Sequence, residues 1–176
     1  SALTLRNAKH WMINYKPNLP EGVELMAVCQ GQDMTELITT YQTLVDIGYK
    51  HIAFNHSSIA YQKEYPSDML RLKAQMYGRM EFIRHLVQTG IINKSAYHHL
   101  LGVSLPQEFM VYGDWDFIKS CDTSNPILVG AEGTRYGEGG IDWKPKEKLE
   151  FYFEKDLSGQ IEDIIFNVQK FKEYVA

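Results

Sequence analysis

Apolar residues recur at three- to four-residue intervals from 4 to 15, at Leu5, Ala8, Trp11, Met12 and Tyr15, and this spacing predicts a helix with one face on a core. Pro17, Asn18, Pro20 and Gly22 then interrupt the pattern and predict a loop. Residues 23–29 read as a short, mostly apolar strand, the composition expected of a parallel strand covered on both faces. Helical spacing resumes through Leu37, Ile38, Tyr41, Leu44 and Val45, with Asp33 or Thr35 as its cap and Gly48 as its stop. A second strand is predicted over 49–54, ending in the polar run Asn55-His56-Ser57-Ser58. There follow a long helix over 67–88 stopped by Gly90, a third strand within 96–103, and a short helix opened by Pro106. A fourth strand over 117–121 sets Asp122 at its carboxyl end. The glycine-rich stretch 129–145 predicts loop, 149–154 alternates as an edge strand does, and 158–175 predicts a final amphipathic helix.

Strand and helix alternate about four times, which implies an α/β fold with a parallel sheet and right-handed crossovers. Four such units make either half of an eight-fold barrel or an open doubly wound sheet. No Gly-x-Gly-x-x-Gly follows the first strand, which speaks against a dinucleotide-binding sheet. Polar residues at successive predicted strand ends, Gln30, Asn55, Gly102 and Asp122, match the rule that sites of parallel barrels gather at that rim. The expectation is a single domain over 1–176, a parallel (β/α) barrel of which this chain holds about half.

Composition narrows the classes. With 176 residues, 44% hydrophobic and 23% charged, the chain has the make-up of an ordinary globular domain. No apolar run approaches the ~20 residues of a membrane span, and residues 1–9 lack the basic-then-apolar pattern of an export signal. A cytoplasmic protein with no membrane association is expected. Cys29 and Cys121 lie far apart in apolar stretches and read as buried free thiols rather than a disulfide. Without a Cys-x-x-Cys pair, no metal site is expected. The net charge of −4 argues against a dedicated electrostatic nucleic-acid binder, while leaving room for an enzyme with a local basic rim. Lys144, Lys146 and Lys148, with Arg135, form one basic stretch: either a solvated surface or a contact to phosphates.

Among residues with chemistry, Asp122 stands first. A carboxylate on a strand terminus, followed by Thr123-Ser124-Asn125, is placed to serve as nucleophile or base, or else to cap the turn after it. Gln30-Gly31 offers an amide that both donates and accepts, suited to the edge of a purine-like base, beside a residue without a side chain; it also reads as a simple loop. His98 and His99 are adjacent on a predicted strand, so they point to opposite faces and cannot share a metal. Neither a Gly-x-Ser-x-Gly elbow nor a phosphate-binding Gly-x-x-x-x-Gly-Lys-Ser/Thr loop is present.

Taken in order, these pieces resemble the tRNA-guanine transglycosylase family. Val28-Cys29-Gln30-Gly31, a helix, then Leu44 to Tyr49 is similar to the family's Val-Gln-Gly, helix, Leu-Gly-Tyr/Phe segment. His99-Leu100-Leu101-Gly102-Val103 before Pro106 resembles its Tyr-Leu-Met-Gly-Val-Gly-x-Pro, and the strand ending in Cys121-Asp122-Thr123-Ser124 resembles the one ending in Phe-Asp. The resemblance implies Asp122 as covalent nucleophile, Gln30 and Gly31 as readers of the exchanged base, Leu101 and Gly102 as the pair packed against it, and Asn55 nearby. It implies base exchange: guanine in tRNA or DNA replaced by a 7-deazaguanine, with no cofactor. Departures accompany it. The family's three-Cys, one-His zinc motif has no counterpart, and Asn55-His56-Ser57-Ser58 stands where the family has glycines. The family's general-base Asp and its further base-recognition residues, which lie in the amino-terminal half of the barrel, also have no match. A carboxyl-terminal piece, or a reduced paralogue that pairs as a homodimer or with another half-barrel, is the expectation that follows.

Overall fold

The computed structural model describes residues 2–63, 65–112 and 115–175. Helix α1 (Ala2–Asn14) leads to strand β1 (Met26–Cys29), helix α2 (Met34–Ile47) and strand β2 (His51–Asn55). Helices α3 (Ile59–Lys63) and α4 (Arg71–Gln88) precede strand β3 (Tyr97–Leu101); a 3-10 turn at Pro106–Val111 separates it from strand β4 (Ile118–Cys121). Helices α5 (Asn125–Ala131) and α6 (Ile161–Val175) close the described chain.

The four strands form one parallel sheet in the order β1-β2-β3-β4, flanked by helices. Register runs straight across it, Val28 beside Ala53 and Ala53 beside His99, with an irregularity in β4 that sets His99 beside Ser120. Alternation of side chains gives the two faces opposite characters. Ala27, Cys29, Ile52, Phe54, His98 and Leu100 are buried, in one core with Leu37, Tyr41 and Leu44 of α2 and Phe82, Ile83 and Leu86 of α4. The other face carries Met26, Val28, His51, Tyr97, His99 and Ser120, all at least partly exposed.

Within the core His98 is fully used. Its ring stacks on Phe54 with centroids 5.2 Å apart. Asn93 N–H donates to Tyr41 Oη at 3.0 Å, which directs the Tyr41 hydroxyl proton to His98 Nε2 at 2.9 Å. The other ring nitrogen then donates to the Phe117 carbonyl at 3.3 Å. Burial holds the His98 pKa down to about 4, so the ring is neutral.

Local signals account for most elements. Asp33 caps α2 by accepting Glu36 N–H at 2.8 Å, and Gly48 closes it. Three expectations need correction. Residues 149–154 are not an edge strand: Leu149–Tyr152 is a 3-10 turn, with Phe151 and Phe153 exposed and Tyr152 buried against Glu132. Alternation alone makes no strand where no neighbouring strand offers hydrogen bonds. The long helix begins at Arg71 rather than 67, after the separate helix α3. The predicted loop from 129 begins inside α5, which exists because Gly130 lets α6 approach: a Cβ there would sit 2.5 Å from Ile164 Cα. Among the described residues no helix is long and apolar enough to cross a membrane.

Candidate functional site

The carboxyl ends of the strands form one rim. Gln30 follows β1, Asn55 ends β2, Gly102 follows β3 and Asp122 follows β4, all in parallel strands. Asp122 is fixed through its backbone, whose N–H donates to Leu100 O at 3.2 Å and whose carbonyl accepts Val103 N–H at 2.8 Å. Its side chain is 56% exposed. Oδ1 accepts the Gly102 N–H at 2.9 Å and faces His99 Nε2 at 3.0 Å. Gly102 adopts φ +69, a left-handed conformation that favours glycine and aims this N–H at the carboxylate.

A carboxylate only accepts, so His99 Nε2 carries a proton; in the neutral imidazole Nδ1 then accepts from the Ser120 hydroxyl at 2.7 Å. Ser120, His99 and Asp122 therefore form a chain of donors ending on one carboxylate oxygen. Among the described residues Oδ2 has no hydrogen-bond partner. A carboxylate oriented through one oxygen and open at the other is suited to attack an electrophilic carbon. Cys121 next to it does not compete as a nucleophile: burial, and then the Asp122 charge, push its thiol up to about 11.

The turn-capping alternative for Asp122 does not hold. Thr123 Oγ1 accepts the Asn125 N–H at 3.1 Å and donates to Val103 O, while Asn125 Nδ2 donates to Ser104 O. These neighbours in sequence brace the loop, and the donors to Asp122 come from His99 of β3 and from Gly102 just after it.

The strand ends are tied from beneath by Arg79 of α4. Its side chain and that of Glu108 are both 0% exposed. Nε and Nη2 donate to Glu108 at 2.7 Å each, Tyr112 Oη donates to Glu108 at 2.5 Å, and Nη1 donates to the carbonyls of Phe54 at 3.1 Å and Leu101 at 2.8 Å. A buried cation thus sets the ends of β2 and β3, the two strands that present Asn55 and Gly102.

The six residues singled out from the sequence separate into two groups. Leu101, Gly102 and Asp122 meet on neighbouring strands; Leu101 is 38% exposed. Asn55 ends the next strand, and its Oδ1 is buried without a hydrogen-bond partner among the described residues. Gln30 and Gly31 lie three strand spacings from Asp122, roughly 14 Å across a flat sheet. Gln30 Oε1 faces Thr4 Oγ1 of α1 at 3.5 Å. Gly31 is required by packing: a Cβ there would be 2.6 Å from Leu37 N, in the first turn of α2. Its carbonyl accepts from Ser58 Oγ at 2.9 Å, which joins the β1 rim to the β2 rim.

Sequence reasoning missed four contributors, of which three are His99, Ser120 and Arg79. The alternation that sends His99 away from the core was readable, but its meeting with Ser120 depends on the irregular register of β4. His56 is a fourth. It is 6% exposed, neither ring nitrogen has a partner among the described residues, and burial followed by the charges of Arg79, Lys144 and Arg71 holds its pKa down to about 3. A scan of protein-family models and a search of curated proteins each found no match.

Proposed function

We propose that the chain is half of a transglycosylase-type (β/α) barrel and that Asp122 is a covalent nucleophile for base exchange on nucleic acid. The observation that carries this reading is Asp122 itself: anchored through Oδ1 by Gly102 N–H and His99, open at Oδ2, on the carboxyl rim beside Leu101. Support for the barrel half comes from the sequential strand order, and from α2 and α4 covering one face. A doubly wound sheet reverses its strand order and places helices on both faces.

In the proposed reaction Asp122 Oδ2 bonds to C1′ of a guanosine as the C1′–N9 bond breaks, and guanine leaves with that electron pair. Guanine takes up a proton from solvent; a 7-deazaguanine then attacks C1′ through its ring nitrogen as the C1′–Oδ2 bond breaks with its electron pair returning to the carboxylate, and the nitrogen's proton passes to solvent. Dividing one displacement into two lowers each barrier, and chemistry at the sugar–base bond requires the nucleotide to leave its stack. The test is adduct trapping. Protein is incubated with guanine-containing RNA or DNA and a 7-deazaguanine, then resolved under denaturing conditions. A protein–nucleic acid adduct is expected for the wild type and none for Asp122→Asn; an adduct that survives the substitution refutes the role.

A second reading, a non-catalytic barrel half that assembles with a copy of itself or another half, is favoured by the sheet's edges. Among the described residues no strand pairs with the outer edge of β1 or of β4. A groove of about 500 Å³ runs beside β4, lined by Phe109, Tyr112, Trp115 and Tyr174, and one of about 420 Å³ beside β1, lined by Ala8 and Trp11. Unpaired edges are templates for another chain. Sedimentation separates the two readings: a stable dimer without adduct supports assembly alone.

A further inference from the structure

The first turn of α4 lies on the same rim as Asp122, since α4 follows β2 and returns along the sheet before β3. Its own sequence supplies this turn with neither a side-chain cap nor a carboxylate. Leu70 at its cap makes no side-chain hydrogen bond, and no acidic residue lies in the first turn. The leading N–H groups of a helix have no partner within it and carry partial positive charge. Arg71, exposed, opens the helix and makes no ion pair among the described residues.

The segment after the glycine-rich loop is pinned to this turn. Asp142 accepts from Lys73 Nζ at 2.7 Å and from Gln107 Nε2 at 3.3 Å, and Ile141 N–H donates to Gln107 Oε1 at 3.3 Å. Lys144, two residues on, is thereby held at the rim. It is half-buried, has no ion pair among the described residues, and its charge reaches both His56 and Asp122. Lys73 pairs with Asp142, whereas among the described residues Arg71 and Lys144 make no ion pair, Lys144 feeling the Asp122 carboxylate only at longer range.

The independent sign of a ligand is His56. It is 6% exposed and among the described residues both ring nitrogens lack partners, although a buried polar atom without one is costly. It sits against the nucleophile's support: a Cβ placed on Gly102 would be 3.6 Å from His56 Cβ. A neutral imidazole offers one N–H donor, and the charges acting on it, from Arg79, Lys144 and Arg71, are all positive. An N–H donor, two cations without an ion pair among the described residues, and a helix turn without a side-chain cap at Leu70 are the chemistry of a phosphate site.

We propose that His56, Arg71, Lys144 and the first turn of α4 form a subsite for the phosphodiester flanking the nucleoside presented to Asp122. The proposal rests on the transglycosylase reading for that nucleoside, and it makes this rim the place where an acidic chain meets a polyanion. Lys144, acting on both sides, would offset repulsion between the phosphate and the Asp122 carboxylate.

The test is binding of a short single-stranded oligonucleotide with a central guanine, by fluorescence anisotropy across a salt series. A second probe has neutral methylphosphonate linkages on both sides of that guanine, and a third is orthophosphate, added as competitor. Lys144→Gln and Arg71→Gln are each expected to weaken binding roughly tenfold and to reduce the log–log salt slope by about 0.7, the value for one contact on a single strand. Lys9→Gln, on exposed α1, should change affinity no more than the salt control does. The methylphosphonate probe should bind as weakly to wild type as the normal probe does to Lys144→Gln. Unchanged affinity and slope in both variants overturn the proposal, as does equal binding of the neutral probe. Orthophosphate binding without oligonucleotide binding assigns the site to a free phosphate and also overturns it. Asp122→Asn should bind the oligonucleotide at least as tightly as wild type. Salt-dependent binding without adduct in wild type sinks the transglycosylase reading and leaves the subsite standing; adduct formation with insensitive variants does the reverse.

Discussion

Replacing Glu108 by Gln preserves its volume and removes the only counter-ion of Arg79 among the described residues. Both side chains are 0% exposed, so no solvent screens the change. The carboxylate receives Arg79 Nε and Nη2 at 2.7 Å each and Tyr112 Oη at 2.5 Å. A Gln amide keeps one acceptor oxygen and turns its own N–H groups toward the guanidinium, exchanging a charge-assisted bond for a donor–donor contact. Breaking one side of a buried pair in this way costs about 3–5 kcal/mol, a large share of a typical stability of ~5–15 kcal/mol. The loss should centre on the rim, because Arg79 also holds the carbonyls of Phe54 and Leu101. Urea denaturation followed by circular dichroism measures it as a lower midpoint at unchanged slope, and hydrogen exchange should quicken at Asn55 and Gly102. Removing both charges, as Arg79→Met with Glu108→Leu, should cost no more than the single change, since paired apolar replacement avoids the stranded charge. A loss under about 1 kcal/mol for Glu108→Gln would refute the view that this pair organises the strand ends.

Two further outcomes are expected. The His98 pKa falls from 6.5 to about 4 on folding because the ring is buried, so between these values the unfolded chain binds a proton that the folded chain does not. Stability should therefore drop as pH falls through that window, by on the order of 3 kcal/mol for this group, with His56 adding in the same direction. Denaturation midpoints across pH check this: His98→Gln should flatten the dependence, and an unchanged slope would exclude His98 as its carrier. His99→Phe removes one of the two donors to Asp122 Oδ1 and should slow adduct formation about 10–100-fold, the worth of a hydrogen bond to a charged group. Thermal melting should move less than the rate, because Phe keeps a ring of similar size at this largely covered position; a large fall in melting temperature with an unaltered rate would contradict a positioning role.

The chain's own periodicities determined the repeating strand and helix, and with them the parallel sheet. A period of 3.6 or 2 is a local property, written in Leu37, Tyr41 and Leu44 or in Ile52 and Phe54, and the caps at Asp33 and Gly48 act within one helical turn. The placing of Asn55, Gly102 and Asp122 at successive strand ends follows from the same alternation. Short elements escaped: α3 is too brief to show a period, α5 contains Pro126 and Gly130 and depends on α6 packing against it, and 149–154 alternates without any strand to pair with. Only tertiary structure decided what holds Asp122. Its donors lie 20 and 23 residues away, the Arg79–Glu108 pair spans 29, and Lys73 reaches Asp142 across 69. A hydrogen bond forms where distance and angle are met, and for residues so far apart in the chain those are set by the packing of whole elements, not by any local pattern of side chains.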